Sequence, residues 1–93
     1  MSSYVISSET ILQPSTLCVA RPQKGGYLFY HYRTDELHLV PPEGYYVYQL
    51  CDGLRSVGEI ESLFKFEPST APDPIRIFFE ELILRGILEV AND

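Results

Sequence analysis

At 93 residues, 45% of them apolar, the chain is sized for one domain with a modest core. That composition excludes a disordered chain, which buries too little apolar surface to offset the entropy of ordering. A net charge of −6 is the wrong sign for nucleic acid or an anionic membrane surface. It suits a solvated acidic surface, or a basic or mostly apolar partner.

No run approaches the roughly 18 apolar residues of a membrane span. The opening MSSYVISSETILQ lacks the basic-then-apolar pattern of a secretory signal. The cytoplasm is therefore the expected compartment. Cys18 and Cys51 are the only cysteines, and no CxxC is present. In a reducing compartment they read as small buried hydrophobes rather than as a disulfide or redox pair.

Residues 1–13 form a polar, Ser-rich entry punctuated by Tyr4, Ile6, Ile11 and Leu12. They read as a partly flexible extension, with residues 4–6 able to add a short edge pairing. Residues 17–21, LCVAR, read as a first strand closed by Pro22 and the Lys24-Gly25-Gly26 turn signal. The aromatic run YLFYHY at 27–32 is a second strand. Arg33-Thr34-Asp35 is a hairpin-length connection. In the third strand, residues 36–40, Leu37 and Leu39 alternate with His38. The three strands are expected to form an antiparallel meander.

The next stretch, VPPEGYYVYQLCDGLRSVGEIESLF, organises the chain. Pro41 and Pro42 end the strand and tolerate a helix start. Val47, Leu50 and Cys51 recur at i, i+3, i+4, the spacing of one helix face. Asp52-Gly53 breaks that helix, with Gly53 free to take a positive φ. Ser56 reopens helix as an N-cap, and Glu59 three residues later completes a capping box. Val57, Ile60, Leu63 and Phe64 supply the second apolar face. Helices this short are marginal alone and must dock on the rest of the chain.

Residues 65–72 read as a loop, broken by Pro68 and Pro72. Asp73 caps a third helix with Pro74 at its first position, and Gly86 stops it. Residues 87–90 return as a short extended tail. The expected architecture is α+β and winged-helix-like, a three-stranded meander followed by three helices and the tail, with residues 14–90 as the domain. On the third helix Ile75, Phe78, Phe79, Leu82 and Ile83 share one arc, an ordinary core face. Ile77 and Leu84 fall on the opposite side, interleaved with Glu80 and Glu81, where a partner could cover them.

No catalytic constellation emerges. His31 and His38 lie on neighbouring strands without a third ligand at familiar spacing, and read as cross-strand surface histidines. Glu80-Glu81 and Asp35-Glu36 are adjacent pairs on solvated faces rather than an acid/base dyad. Gly25-Gly26 precedes a strand and cradles no phosphate. A winged-helix DNA-binding regulator needs a basic recognition helix, but residues 73–86 set Arg76 and Arg85 against Asp73, Glu80 and Glu81. The expected protein is not an enzyme and needs no cofactor or metal. A protein–protein adaptor or transcriptional regulator of winged-helix type is the alternative reading.

Taken together, the aromatic hairpin at 27–32, Pro41-Pro42, Val47-Tyr48-Gln49-Leu50, Cys51-Asp52-Gly53, Arg55-Ser56-Val57, Glu59-Ile60 and the run from Leu82 to Leu88 form a pattern. It resembles the PqqD-like peptide-recognition domains, also called RiPP recognition elements, over nearly the whole chain. Pro41-Pro42 stands where that family more often has Asn-Pro, and Pro72-Asp73-Pro74 before the last helix is a second departure. The resemblance implies a non-catalytic module that captures the leader of a ribosomally made precursor peptide. It presents that leader to a modifying enzyme, such as a radical SAM protein or a cyclodehydratase, or to a leader peptidase.

In such domains the leader adds as an antiparallel strand beside the third strand, in a cleft walled by the third helix. Strand addition satisfies an open edge while alternate side chains fill pockets. Carried onto this sequence, the edge is Glu36, Leu37, His38, Leu39 and Val40, and the wall is Arg76, Phe79, Glu80 and Ile83, with Ile77 and Leu84 as the rim. Arg33 and Arg76 are the expected partners of leader carboxylates. A monomer or a weak edge-paired dimer is expected.

Overall fold

The computed structural model describes residues 6–64 and 74–92. Its elements run β1 (Leu12–Pro14), β2 (Cys18–Gln23), β3 (Gly26–His31), β4 (Glu36–Val40), α1 (Pro42–Gln49), α2 (Val57–Ser62), α3 (Pro74–Leu84) and β5 (Leu88–Val90). This is a small α+β protein built on an antiparallel sheet in the order β2-β3-β4. The loop expected at 65–72, the Asp73 cap and Tyr4 lie outside the described residues.

Register in the sheet is fixed by a two-residue loop, Lys24-Gly25, which leaves Gln23 opposite Gly26. β2 therefore runs through Pro22 instead of closing before it. As the outer strand of the pair, it tolerates a residue with no N–H to donate. β3 then pairs with β4 from Tyr27↔Val40 to His31↔Glu36. Their connection places Asp35 at φ 61, a conformation that Asp adopts more readily than most residues. Tyr30 Oη donates to the Asp35 carboxylate beside this turn, which raises the phenol's pKa, burial adding to the effect.

Side chains alternate across the sheet. Phe29 and His31 on β3 and Val40 on β4 point into the core. Against this face lies α1, through Tyr27 stacked on Tyr45 with centroids 3.5 Å apart and Phe29 edge-on to Tyr48 at 5.0 Å. This helix ends two residues earlier than its apolar spacing suggests, at Gln49, so Leu50 caps it and Cys51 follows in the connection. Gly53 has φ 83, as the Asp-Gly pair predicts. Asp52 Oδ1 accepts from the N–H groups of Leu54 and Arg55 at 3.0 and 3.2 Å. Those bonds, that of Leu54 first, hold its carboxyl below the usual range.

The capping box of α2 is present in both halves: Ser56 Oγ accepts from Glu59 N, and Glu59 Oε1 accepts from Ser56 N. Next to it, Val57 N–H donates to Thr10 C=O at 2.8 Å and Gly58 N–H to Ser8 C=O at 2.9 Å. The entry segment is thus part of the fold from Ile6 onward, which corrects the expectation of an extension over residues 1–13. Ile6 and Leu12 are core residues, and β1 pairs antiparallel with β5 from Leu12↔Val90 to Pro14↔Leu88. β5 lies within the extended tail expected at 87–90, whereas the three-residue β1 gives no sequence signal of its own and exists through that pairing.

Phe29, Phe79, Leu12, Ile60, Leu82, Ile87 and Leu88 are the largest fully buried side chains. Gly86 ends α3 at φ 76, and a Cβ there would lie 2.7 Å from the His31 ring. His31 is accordingly buried, not the surface residue expected. Its Nδ1 accepts from the N–H groups of Arg33 and Thr34 at 3.2 and 3.3 Å, tying down the β3–β4 turn.

Candidate functional site

The sheet has two open edges of different character. β2 carries Pro22 with Arg21 beside it and Lys24 in the following turn, the residues that discourage strand pairing. β4, with the sequence ELHLV, carries neither Pro nor Lys. Among the described residues, backbone hydrogen bonds reach β4 only from β3.

Which β4 groups face outward follows from alternation along the ladder. Tyr32 N–H donates to Leu17 C=O at 2.9 Å, so even-numbered residues of β3 bond toward β2 and odd-numbered ones toward β4. His31, Phe29 and Tyr27 thus bond to Glu36, His38 and Val40. That leaves Leu37 and Leu39 with N–H and C=O turned away from the sheet. Two donors and two acceptors, spaced for one added strand, line this edge.

Beside the edge, β4 and α3 enclose a groove of about 190 Å³. His38, Leu39, Val40 and Pro41 form one side, and Phe78, Glu81, Leu82 and Arg85 the other. Phe78 is held in place by close approach of α1, since a Cβ on Gly44 would come within 2.9 Å of its ring. A polar chain crosses the groove. Arg85 Nη2 donates to Glu81 Oε2 at 2.8 Å, and Arg85 Nη1 lies 3.1 Å from His38 Nδ1. A guanidinium has no acceptor, so His38 Nδ1 accepts and Nε2 carries the proton toward Glu36 Oε1 at 3.2 Å. The groove therefore has an apolar floor of Val40, Phe78 and Leu82 and a polar end of Glu36, His38, Arg85 and Glu81.

All five β4 residues expected at the edge are there. Val40 is buried in the floor, His38 half-buried, and Glu36, Leu37 and Leu39 exposed. Arg33 lies in the adjoining turn, exposed. The residues expected to wall the cleft are spread around α3, which turns a different side to β4. Phe79 and Ile83 are core. Arg76 points to the opposite flank, its Nε 2.9 Å from Glu61 Oε2 and its Nη2 2.8 Å from Ser8 Oγ. Ile77, Glu80 and Leu84 lie on the solvent side. The groove wall is instead Phe78, Glu81, Leu82 and Arg85, and its signal in sequence was the i, i+4 pair Glu81–Arg85 flanking an apolar turn.

Neither thiol is suited to nucleophilic chemistry. Burial raises the Cys18 thiol, and burial with the neighbouring Asp52 charge pushes Cys51 up to about 12. Both cysteines are free. Among the described residues no three metal-capable side chains are gathered, and no helix is long and apolar enough to cross a membrane. Comparison of the chain with family models, with curated proteins and with solved structures finds no match.

Proposed function

We propose that this protein is a peptide-binding adaptor without catalytic activity, which captures the leader of a ribosomally made precursor peptide as an extra antiparallel strand along β4. The carrying observation is the outward-facing backbone of Leu37 and Leu39 beside the groove between β4 and α3. An extended segment laid there gains main-chain hydrogen bonds, while its alternate side chains enter the groove over Val40, Phe78 and Leu82. Such a mode needs one receptive edge, and Pro22 blunts the other.

Two features support this reading: the order of meander, helices and tail is winged-helix-like, and the residue pattern resembles that of PqqD-like recognition elements. On this reading the captured leader is presented to a modifying enzyme or leader peptidase of the same pathway, in the cytoplasm. Duplex DNA is a poor alternative ligand. Arg76 on α3 and Arg85 just after it are each tied to a carboxylate, so the helix offers no basic face.

Calorimetric titration with the leader half of a precursor peptide encoded nearby tests the reading. The expected affinity is micromolar or tighter. Leu39→Asp, at an exposed position, should leave the fold intact and weaken binding by about 1–3 kcal/mol. Undiminished affinity in the folded variant would place the peptide elsewhere, and absence of heat with several leaders would remove the function.

A further inference from the structure

Charge is segregated along this chain. Residues 10–34 contain Arg21, Lys24 and Arg33 and no carboxylate, although the whole chain carries −6. Arg55, Arg76 and Arg85 are each paired with a carboxylate in their own chain. Among the described residues, Arg21, Lys24 and Arg33 have no such partner. Arg21 lies on the face of the sheet turned away from the core, where Val19, Arg21, Leu28, Tyr30 and Leu37 line a shallow concavity of about 290 Å³. Leu37 is 60% and Leu39 56% exposed on this same face. An apolar sheet face carrying Arg21 thus sits on an acidic protein, with the Asp35 carboxylate bonded by Tyr30 at its edge.

The solvent side of α3 has the complementary chemistry. At about 100° per residue, Ile77, Glu80, Glu81 and Leu84 share one side of the helix, opposite the core positions Ile75, Phe79, Leu82 and Ile83. Leu84 is 70% exposed. Glu80 has no hydrogen-bond or ion-pair partner among the described residues. Two apolar side chains flanking a free carboxylate match an apolar concavity that holds a free guanidinium.

We infer that copies of this chain associate head to tail, the acidic, apolar side of α3 in one copy seating on the apolar, Arg21-bearing outer face of the sheet in the next. Glu80 meets Arg21, and Ile77 and Leu84 cover Val19, Leu28 and Leu37. The two surfaces are different, so the contact is heterologous and propagates as a ring or an open chain. Each copy's net charge opposes the contact, which keeps it weak and concentration-dependent. The edge backbone of Leu37 and Leu39 stays free in this arrangement, so the inference stands apart from leader capture.

Sedimentation of the purified full chain, up to about 1 mM, tests it. The wild type should show concentration-dependent association. Arg21→Glu and Glu80→Arg, both at surface positions and checked for native circular dichroism, should each weaken it by about tenfold or more. In an equimolar mixture of the two variants, both contacts between unlike copies again pair opposite charges, so association should return toward the wild-type level. A wild type that stays monomeric throughout would overturn the inference and leave the sheet face to a different protein. Association that survives both substitutions, or a mixture that stays monomeric, would overturn it equally.

Discussion

Arg85, just past the end of α3, reaches across to His38 on β4, with Nη1 3.1 Å from Nδ1. The contact spans the groove and joins two carboxylates, Glu81 and Glu36, through an arginine and a histidine. It sets the spacing between helix and strand at the polar end of the site. It also fixes which imidazole nitrogen carries the proton.

The ¹⁵N shifts of His38 in the neutral protein should report the Nε2–H tautomer, because Nδ1 is occupied as an acceptor. Arg85→Ala should release the tautomer and weaken leader binding by about 0.5–1.5 kcal/mol, the usual net worth of one hydrogen bond. Nδ1–H as the dominant form in the wild type would contradict the arrangement.

The two faces of the β4 backbone can be separated by proline. Leu39→Pro removes an N–H that points away from the sheet, so the domain should still fold, with leader affinity down about tenfold. His38→Pro removes one that bonds to Phe29 and should cost about 3 kcal/mol or more of stability. Chemical denaturation and calorimetry on both variants read the contrast. Equal damage from the two would mean the alternation is wrong.

Arg76 belongs to the fold rather than to the groove. Its partly buried pair with Glu61 and its bond to Ser8 join α3 to α2 and the entry segment. Arg76→Ala should lower unfolding free energy by about 1–3 kcal/mol and leave leader affinity unchanged in the folded protein. Ile83→Asp, which places a carboxylate in the core, should abolish folding. A folded Arg76→Ala protein with normal stability and lost binding would return this residue to the site.

Alkaline stability reports on Cys51. Burial, with the neighbouring Asp52 charge, pushes its thiol up to about 12 from an ordinary value of 9.0. The unfolded chain therefore releases that proton first, and the stabilisation is complete below pH 9 and lost as pH rises toward 12. Unfolding free energy should fall more steeply over that window in the wild type than in Cys51→Ala. Parallel curves would show that the thiol is not buried as described.

Local chemistry made much of the fold legible in the sequence. The Ser56–Glu59 box, the positive φ of Gly53, the stop at Gly86 and the strand Glu36–Val40 all follow from residues within a few positions of one another. The pairing of β1 with β5 did not, because Leu12 and Val90 meet only through the tertiary fold. The groove fared similarly. The edge was readable from alternation, whereas the helix wall depended on how α3 is rotated about its axis. By periodicity Phe78 and Leu82 fall on the core arc, and Leu82 is buried there; only the packing of α3 beside β4 shows that both also border the groove.

The most direct test is amide hydrogen exchange at Leu37 and Leu39, with and without the leader peptide. Strand addition gives both N–H groups new acceptors, so both should become protected on binding, while Glu36, His38 and Val40 change little because β3 already holds them. Tight binding that leaves Leu37 and Leu39 exchanging at their free rates would contradict strand addition along β4.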